Sequence, residues 1–323
     1  NYHDGKSEEV VAKALQDGYR EKVRLATKLP SWLIEEPEDM DEYLDEQLAK
    51  LDVDRIDFYL LHALNKKHWE NCKKVGVREW LDKIQAEGRI DHPGFSFHDD
   101  LDVFKNIVDS YDWTFCQIQY NYLDRDYQAG MDGLKYASSQ GLAVVIMEPL
   151  RGGMLAAEPP EEIQDILAKV DNQEGNPVSC ALNWLWNQPE VSLVLSGMTA
   201  MEHVKENVEL AKNSGVGKLE SLDLQLMEKA AGKYREMSPV RCTGCNYCTP
   251  CPNGVEIPTN FKLYNEAEVY GKFEENKETY YDILDEGKRA SACVACGQCE
   301  EACPQNLNII DLLAETASYF GDG

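Results

Sequence analysis

The sequence predicts an α/β protein in which a parallel sheet covered by helices is followed by a small, mainly helical, cysteine-rich domain. Two observations carry this prediction. From residue 20 to about 215, short β-branched runs alternate with amphipathic stretches, which is the pattern of repeated strand–helix units. Near the C-terminus, eight of the eleven cysteines fall in two runs that each end in Cys-Pro.

Six strand–helix units can be counted in the first part of the chain. The predicted strands are 23–28, 57–62, 94–97, 115–120, 142–148 and 191–196. The predicted helices lie near 39–51, 77–87, 101–109, 131–140, 178–187 and 200–211. Six units and an abrupt start predict a (β/α)8 TIM barrel whose N-terminal strands are missing from this sequence. An open doubly wound sheet is the alternative, although no Gly-x-Gly-x-x-Gly motif follows any strand.

A bridging helix near 223–237 leads to the second domain. We therefore predict a barrel domain over residues 1–237 and a cysteine-bearing domain over residues 238–323. The polar stretch 258–289 between the two cysteine runs has helical character, which indicates a helical module. From Asn253 onward the chain has 5 Lys and Arg against 14 Asp and Glu, a net charge of −9.

The two cysteine runs predict iron–sulfur ligation. In the second run the spacing is that of bacterial ferredoxins, where three cysteines hold one [4Fe–4S] cluster and the fourth crosses to the other cluster. The ligands expected for the first cluster are Cys242, Cys245, Cys248 and Cys303. The ligands expected for the second cluster are Cys293, Cys296, Cys299 and Cys251.

Two alternatives to iron–sulfur ligation are weaker. Zinc takes four ligands in two pairs that a loop usually separates, which runs of four cysteines do not match. Disulfide frameworks are typical of small secreted domains, and no signal peptide is visible in this sequence. The remaining Cys72, Cys116 and Cys180 lie among apolar neighbours and are predicted to be buried core thiols.

Charge excludes two classes of partner. A net charge of −26 argues against nucleic acid and against anionic membrane surfaces, because both demand a basic face. No uncharged apolar stretch approaches the roughly 20 residues that span a bilayer. Thiolate-ligated clusters without an export signal predict a cytoplasmic protein, and the acidity leaves open a basic redox protein as partner.

Three polar residues fall where a barrel gathers its active site, namely Tyr2, Lys28 and His62. Further motifs follow along the chain at 2–8, 94–96, 117–121, 148–153, 196–198 and 206–207. This ordered set resembles the aldo/keto reductase family over residues 1 to about 213. Together with the cysteine runs, it resembles the branch of that family that carries a C-terminal iron–sulfur domain.

The resemblance implies carbonyl chemistry. Tyr2 is expected to donate a proton to the carbonyl oxygen, Lys28 to lower the pKa of Tyr2, and His62 to orient the carbonyl. The family's catalytic aspartate falls outside this sequence. The motifs imply a nucleotide site formed by Ser96, Gln117, Met147, Leu150, Arg151, Gly152, Gly153, Ser196, Gly197, Met198, His203 and Asn207.

The sequence departs from the family pattern in three ways. Phe97 stands where an asparagine commonly binds the nicotinamide amide, and Met147 where a tyrosine commonly stacks on the ring. Gly197 and His203 stand where Lys and Arg usually grip the 2′-phosphate of NADP. These departures leave NADP(H), NAD(H) or a flavin open as the cofactor. A flavin would suit the clusters, because it can accept the two electrons of a hydride and pass them on one at a time.

Two functions remain open at this point. The first is an oxidoreductase that reduces or oxidises a small carbonyl or alcohol substrate and exchanges electrons through its clusters. The second is an inert barrel that serves as an electron-transfer or scaffold subunit for a partner enzyme. Two segments, 32–37 and 65–75, are expected to be loops that shape the substrate pocket. His68, His92 and His98 are expected to be loop or surface residues, with a position facing the site as the alternative for His98, which follows the 94–96 motif.

Overall fold

Six strands form one parallel sheet in the computed structural model, which describes residues 5–170 and 175–322. Their bounds are β1 Ala26–Leu29, β2 Ile56–Leu64, β3 Ile90–Phe97, β4 Phe115–Gln119, β5 Ala143–Met147 and β6 Val191–Val194. Each strand lies beside its neighbour in sequence, in the order β1 to β6. This order never reverses, as it would at the switch point of a doubly wound sheet. The predicted barrel-like α/β fold is therefore confirmed.

Fourteen α-helices are found in the described residues. They are α1 Ser7–Ala14, α2 Pro37–Leu51, α3 Lys66–Lys74, α4 Val77–Ala86, α5 Leu101–Val108, α6 Gly130–Ser139, α7 Glu161–Leu167, α8 Pro177–Trp186, α9 Met201–Asn213, α10 Ser221–Met237, α11 Ile257–Val269, α12 Phe273–Ile283, α13 Gln298–Ala302 and α14 Ile309–Phe320. None of the described helices is long and apolar enough to cross a membrane.

Local sequence explains where these elements begin. Glu36 and Asp39 form a reciprocal capping box at the start of α2, and Pro37 occupies its first turn. The Asp100 side chain accepts a hydrogen bond from the Val103 N–H at 3.0 Å and so caps α5. Strand β2 is buried along almost its whole length, as expected for a parallel strand covered on both faces.

One segment was predicted wrongly. The stretch 65–75 was expected to be a loop, but it contains helix α3. The Asn65 side chain caps this helix by accepting from the His68 N–H at 2.8 Å. The helix buries Trp69 and Cys72, which supply the apolar face that fixes it. The helix also carries four lysines, and these polar residues concealed the helical pattern in the sequence.

The chain divides into two compact units. The first contains the described residues up to Gln119 together with Asp126–Met147 and Glu190–Leu193. The second contains Tyr120–Arg125, the described residues of Glu148–Pro189, and those from Val194 onward. The predicted domain boundary between residues 237 and 238 stays a prediction.

The C-terminal part of the second unit is helical, as predicted. Its core includes Phe261, Tyr280, Leu313 and Phe320, all of which are buried. The Tyr280 ring stacks on Phe320 with ring centroids 4.5 Å apart, and its hydroxyl donates to Asp322 Oδ2 at 2.9 Å. Buried aromatic packing of this kind supplies the area that a short helical module needs for stability. Helix packing therefore positions the cysteine-bearing loops.

The three isolated cysteines lie where the sequence predicted them. Cys72, Cys116 and Cys180 are fully buried among apolar side chains. Burial raises the pKa of the Cys72 thiol to about 12, so this thiol stays protonated. All three are therefore packing residues.

Candidate active site and iron–sulfur site

Two of the three predicted catalytic residues lie on neighbouring strands of the first unit. In the parallel register Lys28 of β1 stands opposite Leu60 of β2, and His62 follows two residues later. Side chains alternate along a strand, so Leu60 and His62 point to the same face as Lys28. Both residues lie toward the C-terminal ends of their strands, the end at which barrels carry their active sites. Tyr2, the third, lies outside the described residues.

The electrostatic environment of this pair favours a neutral histidine. Burial, together with the neighbouring Lys28 ammonium, lowers the pKa of His62 to about 2. Burial also lowers the pKa of Lys28 below its ordinary value. His62 is consequently a neutral imidazole at neutral pH, which can donate one N–H hydrogen bond to an oxygen and cannot serve as an acid.

A strained residue directly after His62 fixes the end of β2. Ala63 has a φ of 52°, a left-handed conformation that is uncommon for a residue with a side chain. Its N–H donates to Ser96 Oγ at 2.8 Å, and the β2–β3 register shifts between Leu61 and Leu64. Backbone strain of this kind persists where surrounding contacts hold it and is common at functional sites. Ser96, predicted to bind the nucleotide, therefore holds the backbone beside His62.

Sequence reasoning placed the segment 32–37 and His98 near the pocket but did not predict the contacts that His62 makes. The Trp32 ring lies 5.0 Å from the His62 ring, measured between centroids, and Ser31 Oγ donates to the His62 carbonyl oxygen. His68 of α3 donates from Nδ1–H to the Ala63 carbonyl oxygen at 2.9 Å, because a carbonyl oxygen can only accept. His68 and His98 are half-buried and close enough to His62 to lower its pKa. His92, in contrast, is exposed as predicted.

Two further predicted nucleotide-binding residues meet, Gln117 in the middle of β4 and Met147 at the end of β5. Gln117 Nε2 lies 3.1 Å from the Met147 sulfur, and Gln117 is buried. A thioether is a weak acceptor for an amide N–H. This amide could therefore exchange its sulfur partner for a stronger acceptor, such as a carbonyl oxygen.

The segment Glu148–Gly153 follows β5 in the chain and belongs to the second unit. Three consecutive residues of it, Arg151, Gly152 and Gly153, have φ values of 49°, 63° and 97°. The Gly152 N–H donates to Glu148 Oε2 at 2.8 Å, and burial raises the pKa of Glu148. Arg151 Nε lies 3.2 Å from Asp124 Oδ2 and its side chain is 3% exposed. Leu150 precedes this turn.

The last group of predicted nucleotide-binding residues also lies in the second unit. Asn207 of α9 donates from Nδ2 to Ser196 Oγ at 3.1 Å, so the structure brings these two together. Gly197 and His203 are exposed, Met198 is 42% exposed, and α9 has no buried residue.

The four cysteines expected to hold the first cluster line one cavity of the second unit. Its wall contains Cys242, Cys245, Cys248 and Cys303 together with apolar residues that include Phe261 and Ile309. Burial raises the pKa of Cys242 to about 11 and that of Cys248 to about 12. Gln305 Nε2 lies 3.3 Å from Thr243 Oγ1 and links the two distant runs.

The cysteines expected for the second cluster are arranged more openly. Cys299 is buried, Cys251 and Cys293 are half-buried, and Cys296 is exposed. Asn253, two residues after Cys251, donates from Nδ2 to the Ala292 carbonyl oxygen at 2.5 Å. This bond ties the end of the first run to the residue directly before Cys293. It brings Cys251 toward the second run.

The donor set fits an iron–sulfur cluster. Sulfur is the preferred donor of [4Fe–4S] clusters, and the first cavity presents four thiols from both runs in apolar surroundings. Within residues 5–170 and 175–322, no three His, Cys, Asp or Glu side chains are grouped to hold a single metal ion.

Both parts of the chain match models of known protein families. Residues 1–216 match the model of the aldo/keto reductase family, and residues 241–308 match the model of a 4Fe-4S dicluster domain. The NADH-specific methylglyoxal reductase of Escherichia coli is 24% identical over 286 residues, which cover 73% of this chain and 81% of that protein. L-galactose dehydrogenase of Arabidopsis thaliana is 25% identical over 197 residues, covering 56% of this chain and 59% of that protein.

Solved structures share the fold. An aldo-keto reductase of Bacillus halodurans in its holo form superposes with a TM-score of 0.58 at 24% identity, covering 69% of this chain and 76% of that one. An aldo/keto reductase of Klebsiella pneumoniae in complex with NADP and acetate gives a TM-score of 0.55 at 23% identity, covering 69% and 74%. The chain therefore belongs to the aldo/keto reductase family and carries a 4Fe-4S dicluster domain in its C-terminal part.

Proposed function

We propose that this protein is an oxidoreductase that interconverts a small carbonyl compound and its alcohol and exchanges the electrons through two [4Fe–4S] clusters. The observation that carries the proposal is the placement of Lys28 and His62 on one face at the C-terminal ends of adjacent strands. This arrangement suits carbonyl reduction, because the two side chains differ in charge and serve different steps. A scaffold has no need of both.

Each residue has a role in the proposed chemistry. A bound nicotinamide nucleotide would supply or accept the hydride. The neutral His62 donates an N–H hydrogen bond that holds the carbonyl oxygen, and Tyr2 delivers the proton that this oxygen needs. The Lys28 ammonium stabilises the tyrosinate that Tyr2 leaves behind. Burial strengthens these interactions because the local dielectric is low.

Relatives indicate the first substrate to test. The Escherichia coli relative is a methylglyoxal reductase that is specific for NADH. Methylglyoxal is a small carbonyl compound, and Gly197 and His203 do not provide the Lys and Arg that usually grip a 2′-phosphate. Both observations favour NADH over NADPH. We therefore propose NAD(H) as the nucleotide and a small carbonyl compound such as methylglyoxal as the substrate.

The cluster domain is proposed to connect this reaction to a one-electron partner. The ligands proposed are the two cross-run sets, which gain support from the cavity shared by Cys242 and Cys303 and from the Asn253–Ala292 hydrogen bond. The exposed Cys296 and the acidic surroundings suit a basic redox protein as the partner. We propose residues 1–237 and 238–323 as the two functional domains.

A steady-state assay tests the proposal. Anaerobically purified protein should oxidise NADH when methylglyoxal is added, and His62→Gln should lower turnover about 10²-fold. His92→Gln, at an exposed position on β3, is the matched control and should keep full turnover. Absence of turnover with either nucleotide and a panel of small carbonyls would favour the scaffold alternative.

A further inference from the structure

A second, larger cavity lies directly beside the proposed first cluster. Its volume is about 460 Å³, within the range of roughly 300–1,000 Å³ typical of small-molecule sites. Its walls are the turn after β5, from Arg151 to Ala157, and one face of helix α11. All of its lining residues belong to the second unit. Arg151, Gly152 and Gly153 are also among the residues that the family motifs assign to the nucleotide, whereas the face of α11 that lines this cavity has no role in the carbonyl chemistry or in cluster ligation.

The two cavities share a wall. Cys242, Thr243 and Pro258 line both the cysteine cavity and the larger cavity. A molecule in the larger cavity would therefore contact a proposed cluster ligand. The turn also lies close to the cysteine loop, since a Cβ added at Gly152 would stand 2.9 Å from the Thr243 carbonyl oxygen. Only glycine permits this approach, because Gly152 also has a φ of 63°.

The buried guanidinium of Arg151 supplies hydrogen-bond donors to the cavity. The Arg151 side chain is 3% exposed and lines the cavity. Its Nε faces Asp124, whereas Nη1 has the Met154 thioether sulfur as its partner at 3.4 Å. Guanidinium donors strongly prefer oxygen acceptors, and buried donors are rarely left with weaker ones. The carboxylate of Asp124 already balances the charge, so a neutral carbonyl oxygen would satisfy Nη1 better than a second anion.

The remaining lining suits a flat ring. Tyr270 and Val269 close one side, and the Tyr270 hydroxyl donates to the Met154 carbonyl oxygen at 3.4 Å. Gly153 and Gly244 offer backbone surface without side chains, where a planar molecule can approach closely. Thr259 and Lys262, which lie on α11 together with Val269, add hydrogen-bond donors, and Glu266 of the same helix adds a carboxylate. Apolar surface with a few convergent polar groups is the usual composition of an organic-ligand site.

We propose that this cavity binds a planar, carbonyl-bearing redox ring of the flavin or quinone kind, which exchanges electrons with the first cluster through Cys242. The inference rests on the proposed function, because it takes Cys242 as a cluster ligand. In the reducing direction the ring takes up two electrons and two protons and becomes its dihydro form. Two reduced clusters give one electron each and are oxidised, and the protons come from solvent. The reverse reaction reduces both clusters and releases two protons.

The binding experiment compares two neighbouring alanines. Ala156 and Ala157 are both exposed, but only Ala157 lines the cavity. Riboflavin and flavin mononucleotide are titrated by quenching of flavin fluorescence, and menadione by quenching of the protein's own tryptophan and tyrosine fluorescence. Ala157→Trp fills the cavity and should weaken ring binding by at least about tenfold, whereas Ala156→Trp should leave it unchanged. Cluster absorption should be the same in both variants, which shows that both are folded and loaded.

The probes separate the sources of the ring. Equal affinity for riboflavin and flavin mononucleotide indicates that the cavity recognises the flavin ring alone. A higher affinity for the mononucleotide indicates a further contact with its phosphate. Binding of menadione but of neither flavin indicates a quinone. The proposal is overturned if none of the three binds at about 100 µM, or if Ala157→Trp leaves binding intact. NADH-dependent methylglyoxal reduction is measured on the same preparations. If the protein binds the ring but does not reduce methylglyoxal with NADH, the result contradicts the proposed carbonyl chemistry and leaves the proposed ring site unaffected.

Discussion

The strand-end site and the cysteine site are built in opposite ways. Lys28 and His62 lie 34 positions apart in the sequence and are aligned by the register of two buried strands. Cys242 and Cys245 lie three positions apart on a loop, and only Cys303 arrives from a distant run. The backbone pairing of two strands sets the relative positions of their side chains without any ligand. Cysteines on a loop, in contrast, obtain their final positions when the cluster binds. The first site is therefore preorganised, and the second should depend on its metal for order.

The largest expected effect is loss of a cluster in a crossing-ligand variant. Cys303→Ser should remove the first cluster, because this residue completes the set that lines the cavity with Cys242. Iron content should fall from about eight atoms per chain to about four, the content of one remaining cluster. Iron and sulfide analysis of anaerobic protein measures this.

Cys116→Ala is the matched control, since it removes a buried cysteine that is not a predicted ligand. Its iron content should equal that of the parent protein. Equal iron loss in both variants would show that the effect reflects general destabilisation, and unchanged iron in Cys303→Ser would remove this residue from the ligand set.

The proton donor gives the next effect. Tyr2→Phe should lower turnover by about 10²–10⁴, the usual contribution of a positioned general acid, with the cluster content unchanged. Tyr19→Phe, at a 54% exposed tyrosine, serves as the control and should keep full activity. Steady-state kinetics of both variants checks this, and full activity of Tyr2→Phe would contradict the assigned role.

Acid should destabilise the strand-end site through His62. Its pKa in the folded protein is about 2, below the ordinary value near 6.5, so the unfolded chain takes up a proton between these values and the folded chain does not. The stabilising contribution is full above pH 6.5 and declines as the pH falls below it. Between pH 7 and pH 5 the loss should be about 2 kcal/mol.

Urea unfolding at both pH values measures this loss, with His62→Gln as the comparison. The variant lacks the titrating group. Between pH 7 and pH 5 its free energy of unfolding should therefore fall by about 2 kcal/mol less than that of the parent protein. An equal fall in the free energy of unfolding of both proteins between pH 7 and pH 5 would show that His62 is solvated and protonates normally.

An effect on stability of similar size concerns the strained end of β2. Ser96→Ala removes the acceptor of the Ala63 N–H and should cost about 1–3 kcal/mol of folding stability, the penalty of a buried donor without a partner. Turnover should fall as well, because Ala63 directly follows His62. Thermal unfolding and kinetics of Ser96→Ala, beside the conservative Ser96→Thr, measure both effects. Thr retains the hydroxyl and should restore most of the lost turnover.

The sequence was sufficient for features that depend on spacing or period. Buried strands such as β2 are continuous apolar runs in the sequence, and the cysteine spacing alone predicts the iron–sulfur domain that the family match confirms. Helix α3 was missed because only its Trp69 and Cys72 face is apolar. The contacts of His62 with Trp32 and of Ala63 with Ser96 are tertiary. No local pattern in the sequence carries such contacts.

One measurement tests directly whether carbonyl chemistry and clusters work together. The protein is reduced with dithionite, freed of excess reductant under anaerobic conditions and mixed with methylglyoxal and a catalytic amount of NAD⁺. The proposed function predicts that the visible absorption of the oxidised clusters returns while one carbonyl is reduced per two electrons. The Tyr2→Phe variant should recover much more slowly. Clusters that stay reduced in the parent protein, with methylglyoxal unchanged, would contradict electron exchange between the two sites.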